Sequence, residues 1–156
     1  MSTRPFEINV APHGTSGCNP DGHNGADGLQ PYFGDGAAGP CPNLDSAIRT
    51  VRAYRQTGRF SGQATITLLP GDHYLRQPQA LTPEDNGGLL IRGQDSGETR
   101  IWGGEPVAEW RVTEHHDKVC WETNVEDHLL RHGVFRSLWV DEQLAPRPRW
   151  PKQGSP

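Results

Sequence analysis

The chain has 156 residues, with 15 Lys and Arg against 19 Asp and Glu for a formal net charge of −4. Nucleic acid and anionic membrane surfaces select a clustered positive field, so this balance argues against both as the main partner. The 19 Gly and 14 Pro break long helices and exclude an all-helical bundle, while the low share of Leu, Ile, Val and Phe points to a small or incomplete core.

Phe6 to Val10 alternates apolar and polar residues, the period of a half-buried strand. From Pro12 to Pro42 the chain is rich in Gly, Asn, Asp and Pro, with turn signals at Pro20-Asp21-Gly22, Asn24-Gly25 and Asp27-Gly28, and reads as a long surface loop. Leu44, Ala47, Ile48, Val51 and Tyr54 then recur at helical spacing, with Asn43 placed to cap the start and Gly58 to end the run. Arg49, Arg52, Arg55 and Arg59 fall on the other side and read as a solvated face.

Beyond Phe60 the pattern turns to short strands: 64–69, 89–92, 99–102, 107–112, 119–122 and 134–140, separated by Gly-rich turns. The first of these is almost continuously apolar or β-branched, as in a parallel sheet covered on both faces, and the helix before it is placed to shield an open sheet end. Spacings of this order suit a solenoid of parallel strands. The expected division is 1–62 for the strand, loop and helix, and 63–156 for the stacked strands.

There is no run of about 18 apolar residues to span a membrane. Met1 to Phe6 carries no apolar stretch of a secretory signal, so the expected location is the cytoplasm, or outside the cell with the signal missing from this sequence. Three cysteines, Cys18, Cys41 and Cys120, are too few and odd in number for a disulfide scaffold.

Six blocks in order resemble right-handed parallel β-helix proteins of the pectate-lyase-like type. Gly39-Pro40-Cys41-Pro42-Asn43-Leu44-Asp45-Ser46-Ala47-Ile48-Arg49 is similar to their "GPFaTLeaAr" opening, Leu69 to Leu75 to "lrgGtYyL", and Leu81 to Gly87 to "ltpeDSG". Gly97 to Gly104 resembles "Ge.pvisGG", Phe135 to Gln143 resembles "fRqLfVNGeR" with Asp141-Glu142 in place of Asn-Gly, and Arg147 to Pro151 resembles "RaRwPn". The likeness is nearest to bacterial proteins of glycoside hydrolase family 141. It implies a mainly β fold: an N-terminal cap with one amphipathic helix, followed by the first rungs of an incomplete right-handed parallel β-helix. The function implied is the N-terminal fragment of a glycosidase, or alternatively of a polysaccharide lyase, acting on plant or bacterial polysaccharide, with its catalytic acids beyond Pro156 and this piece silent alone. The partners implied are a polysaccharide or oligosaccharide and the remainder of the chain's own β-helix.

Glycosidic cleavage needs two carboxyl groups roughly 5 to 9 Å apart. Glu84-Asp85 is the only adjacent acidic pair on a strand-to-turn junction in a matched block; neighbours on a strand face opposite sides, which argues against a working pair, and Asp85 followed by Asn-Gly-Gly reads as a turn. Zinc-type ligand atoms occur at His13, Cys18, His23 and Cys41 without a C-x-x-C knuckle, and Asp21, Asn24 and Asp27 lack the closing bidentate acid of a calcium loop. Neither metal nor cofactor is assigned. Cys18 and Cys41 either pair or stay thiols. His115-His116 reads as a surface loop, and Trp102, Trp110, Trp121 and Trp139 as core. Arg147, Arg149 and Trp150, in an extended Pro-rich stretch, are the expected substrate contacts. A carbohydrate-binding or adhesion module without catalysis is the alternative from a different class.

Overall fold

The computed structural model describes residues 6–15, 27–32, 38–95, 98–125 and 137–147. The chain divides into two compact units, Met1–Glu105 and Pro106–Pro156. It is mainly β, with one α-helix and short strands in small sheets.

In the first unit, β1 (Phe6–Val10), β2 (Ala64–Leu68) and β4 (Leu89–Gly93) form a three-stranded parallel sheet with β2 in the middle. Register places Ile8, Ile66 and Ile91 side by side, with Phe6, Ala64 and Leu89 before them and Val10, Leu68 and Gly93 after. Period-two alternation puts all of these on one face. On the opposite face Glu7, Thr67 and Arg92 form a polar ladder: the Thr67 hydroxyl donates to Glu7 Oε1 at 2.6 Å and Arg92 Nη2 donates to the same oxygen at 3.3 Å. A second parallel pair joins β3 (Gly71–Tyr74) to β5 (Thr99–Trp102).

The helix α1 (Leu44–Gln56) starts where Asn43 Oδ1 accepts from the Ser46 amide at 2.8 Å and ends as Gly58 takes a left-handed φ of +67°. Its apolar stripe, Leu44, Ala47, Ile48 and Val51, is buried with Ile8, Val10, Ile66 and Leu68 in the main core. The free edge of β1 is covered by irregular chain: Asn9 donates to the Gly28 carbonyl at 2.7 Å and accepts from Cys41 at 2.7 Å, and Ala11 donates to Cys41 at 2.8 Å. The far edge of β4 pairs with no strand among the described residues, and Leu90 on it is 43% exposed.

The solvated reading holds for Arg49 and Arg59, which are exposed, and needs correction for Arg52 and Arg55. Arg52 donates Nε to Asp85 Oδ1 at 3.1 Å, and Nη2 to Asp85 Oδ2 at 2.7 Å and to the Ala80 carbonyl at 2.9 Å. Arg55 donates to the carbonyls of Glu84, Gly62 and Gly88 at 3.2, 3.1 and 3.0 Å. Helical spacing alone does not show that a later turn folds back over this side. That turn, the 3₁₀ segment Pro83–Gly87, has its own closure: Asp85 Oδ2 accepts from the Thr82 amide at 2.7 Å while the Asp85 amide donates to the Thr82 carbonyl at 2.9 Å. Asp85 is therefore buried and structural, as its reading as a turn residue implied.

Replacing Asp85 by Ala is expected to lower unfolding stability by about 2 kcal/mol, through loss of the cap and of charged hydrogen bonds. The Arg52 guanidinium, with help from the Thr82 amide, holds the Asp85 carboxyl down to about 2 against an ordinary 3.8. A depressed native pKa means that this stabilisation is complete above the unfolded value near pH 4 and is lost as pH falls towards 2. Urea midpoints of the parent and Asp85→Asn between pH 2 and 6 check this: the difference must shrink on the acid side, and a constant difference would refute the linkage.

In the second unit, β6 (Arg111–His115) and β7 (Lys118–Glu122) form an antiparallel hairpin, and β8 (Trp139–Val140) and β9 (Gln143–Leu144) form another. Both close through two residues of positive φ, His116 and Asp117 at 49° and 58°, and Asp141 and Glu142 at 49° and 63°, the geometry of tight hairpin turns. The expected strand bounds are revised here. The strand expected over 107–112 begins only at Arg111, because Glu109 turns at φ 58° and Trp110 Nε1 donates back to the Val107 carbonyl at 2.9 Å. Of the strand expected over 134–140, residues 134–136 lie outside the described residues, 137 and 138 are not in a strand, and 139–140 form β8. His115 closes β6 rather than sitting in a loop.

The assignment of the tryptophans to the core is also corrected. Trp102 is half-buried, and Trp110, Trp121 and Trp139 are 43%, 67% and 59% exposed. A two-stranded hairpin has one apolar face and no second layer of its own to bury it.

Candidate functional site

A cleft of about 500 Å³ opens beside the start of α1, between residues 12–14, 42–49 and 73–79. Its walls follow from the strand order. The chain leaves β1 at Ala11, where the His13 amide donates to the Asp72 carbonyl at 2.7 Å and ties residue 13 alongside β3. The His13 ring meets Tyr74 edge-on, with centroids 5.1 Å apart. Asn43, Asp45 and Arg49 enter from the first turns of the helix, and Asp45 pairs with Arg49 at 2.7 Å.

His73 points inward from β3 and is only 5% exposed. Its Nε2 lies 2.8 Å from the Leu69 carbonyl, which can only accept, so the proton sits on Nε2 and Nδ1 keeps its lone pair. Burial lowers the His73 pKa, with the Leu69 contact and Asp72 opposing, so the ring is neutral near pH 7. Burial also raises the Tyr74 pKa and keeps that phenol protonated. The walls thus combine neutral donors and acceptors with the Asp45–Arg49 ion pair and with Arg76, whose partner Glu105 lies 3.8 Å away outside the lining, a polar mix that suits a ligand rich in hydroxyl groups. Among the described lining residues Asp45 is the single carboxylate. Paired-carboxylate hydrolysis needs a second one, which these residues do not place in the cleft.

Of the expected substrate contacts, Arg147 is exposed just after β9, and Arg149 and Trp150 lie outside the described residues. Cys18, His23, Asp21 and Asn24 also lie outside them. Cys41 is buried in the core, His13 packs on Tyr74, and the Asp27 carboxylate accepts from the Leu29 amide at 2.9 Å. No group of three or more His, Cys, Asp or Glu suited to a metal occurs among the described residues. Sequence reasoning singled out neither His73 nor Asp72. The run Asp72-His73-Tyr74, directly after Pro70-Gly71, is the signal that was available, since a turn followed by alternating polar and aromatic residues marks a short strand.

No protein-family model matches the chain, and no curated protein matches it. A solved structure titled glycoside hydrolase is similar to it at 25% identity and a TM-score of 0.62, over 91% of this chain. The likeness makes the fold glycoside-hydrolase-like. The chain spans 22% of the length of that protein.

Proposed function

We propose that the chain is the N-terminal cap and first rungs of a right-handed parallel β-helix in a carbohydrate-active protein, with glycoside hydrolysis as the chemistry of the whole. The observation that carries the reading is the stacking of strands in two parallel sets. Ala64 pairs with Leu89, twenty-five residues on, and Gly71 with Thr99, twenty-eight residues on. The connection from β2 to β4 runs through β3 and a 3₁₀ turn rather than an α-helix, which favours a solenoid over a βαβ unit. The crossover rule favours a right hand. The covered edge at β1, the open edge at β4 and the similarity to one part of a longer glycoside hydrolase support a cap followed by further rungs.

On this reading the substrate is a polysaccharide or oligosaccharide, the catalytic carboxylates lie beyond Pro156, and Arg147, Arg149 and Trp150 pack on later rungs or contact the glycan. A binding module without catalysis is the second reading, favoured by the single carboxylate of the cleft. Sequencing the gene past codon 156 tests the first. The frame is expected to continue in rungs of about 20 to 30 residues, the 156-residue chain to release no reducing sugar from plant polysaccharides, and the extended protein to release it. A stop at codon 157 sinks the fragment reading.

A further inference from the structure

We propose that the outer face of β3 and β5 is a binding platform for a neutral pyranose ring, with Trp102 as its floor. The proposal rests on the carbohydrate reading above. Register pairs Asp72 with Arg100 and Tyr74 with Trp102, so strand alternation brings all four side chains to one face. Register thus places two aromatic residues side by side on the parallel pair, with Trp102 offering the larger ring. The axial C–H groups of a pyranose complement the negative face of such rings.

The indole is held in place. Trp102 Nε1 donates to Asp72 Oδ1 at 2.9 Å, and Arg100 Nε donates to the same oxygen at 2.7 Å. The two donors keep the carboxyl below its usual range, the Trp102 hydrogen bond contributing most, so Asp72 stays ionised as an acceptor. Among the described residues its Oδ2 makes a single long contact, 3.5 Å to Arg100 Nη2, which leaves lone pairs for a sugar hydroxyl. The Asp72 side chain is 33% exposed, and Trp102 and Tyr74 are half-buried, so the face is reached from solvent while its rotamers are restrained. A fixed aromatic ring loses little entropy on binding.

Charge selects the ligand class. Asp72 and Arg100 neutralise one another, so the face carries no unbalanced positive charge to draw in a polyuronate, and a neutral glycan is the fitting ligand. Tyr74 also lines the cleft beside α1, which makes cleft and platform continuous through this residue. An extended chain can therefore place one ring on Trp102 while its neighbour's hydroxyl groups enter the cleft.

Affinity electrophoresis of the full 156-residue chain in gels containing arabinoxylan, xyloglucan or polygalacturonate tests the platform. The parent is expected to be retarded by at least one neutral glycan, and Trp102→Ala to bind it about tenfold more weakly. Trp102→Phe, which keeps a ring, should retain most of the binding, and Trp121→Ala on the β6–β7 hairpin should bind as the parent does. Far-UV circular dichroism verifies that each variant is folded; if Trp102→Ala is not, retention by Trp102→Phe and loss in Trp102→Leu carry the test. Binding of a neutral glycan that is indifferent to position 102 overturns the platform and leaves the carbohydrate reading standing. Retardation by polygalacturonate alone, or by none of the three, also overturns the platform, while the gene-extension test still judges the rung reading separately.

Discussion

Ile66→Ala is expected to lower unfolding stability by about 3 kcal/mol, in the range for deleting a buried branched side chain and leaving a cavity. Ile66 is fully buried at the centre of β2, flanked in register by Ile8 and Ile91 and covered by the apolar stripe of α1. Neighbours on both sides and a helix above leave little room for collapse, so most of the void persists. Ile91 occupies the equivalent place on β4 but is half-buried on an open edge, and Ile91→Ala should lose only about 1 kcal/mol. Urea midpoints at unchanged m-value measure both. Equal losses would mean that β4 is as enclosed as β2 and would remove the physical basis for an open edge.

Gly28→Ala is expected to be equally damaging, at about 3 kcal/mol, for a different reason. Gly28 has φ +76°, and a Cβ there would lie 2.7 Å from Ile8 Cγ2 and 2.8 Å from Cys41 Sγ. Both neighbours are core atoms. The same backbone position accepts from the Asn9 amide at 2.7 Å and from Asn9 Nδ2 at 3.2 Å, so it cannot retreat without releasing β1. Gly14 is the control: its φ is +77° with nothing within 4 Å of an added Cβ, so Gly14→Ala carries only the left-handed strain, about 1 kcal/mol. If the two variants melt alike, close packing at Gly28 does not contribute and the seal of the β1 edge is looser than described.

The parts of the fold legible in the sequence were those written locally. Helix α1 ends within a residue or two of its Asn43 and Gly58 signals, β1 falls where apolar alternation places it, and β2, β4 and β5 fall on the short apolar or β-branched runs between turn signals. The short strand β3 was missed as an element because its four residues, Gly-Asp-His-Tyr, carry almost no apolar signal. It is a strand because β5 arrives beside it, which is a long-range event. Trp110, Trp121 and Trp139 were misplaced for a related reason: ring size argues for burial, but a ring is buried only if a second layer exists to cover it.

The candidate site shows the same division. Hydrogen-bonding and aromatic residue types were visible one by one, but Asp72 lies about thirty residues before Arg100 and Trp102 in the chain and meets them only through the parallel register. Arg52 and Asp85, thirty-three residues apart, are another such pair. Local backbone preference, capping and period depend on neighbours within a few residues, so the sequence by itself determined the helix, most strands and the mainly β class. Which polar groups share a face, which edge is sealed and which side chains are wet depend on how distant strands stack, and only the tertiary structure decided them.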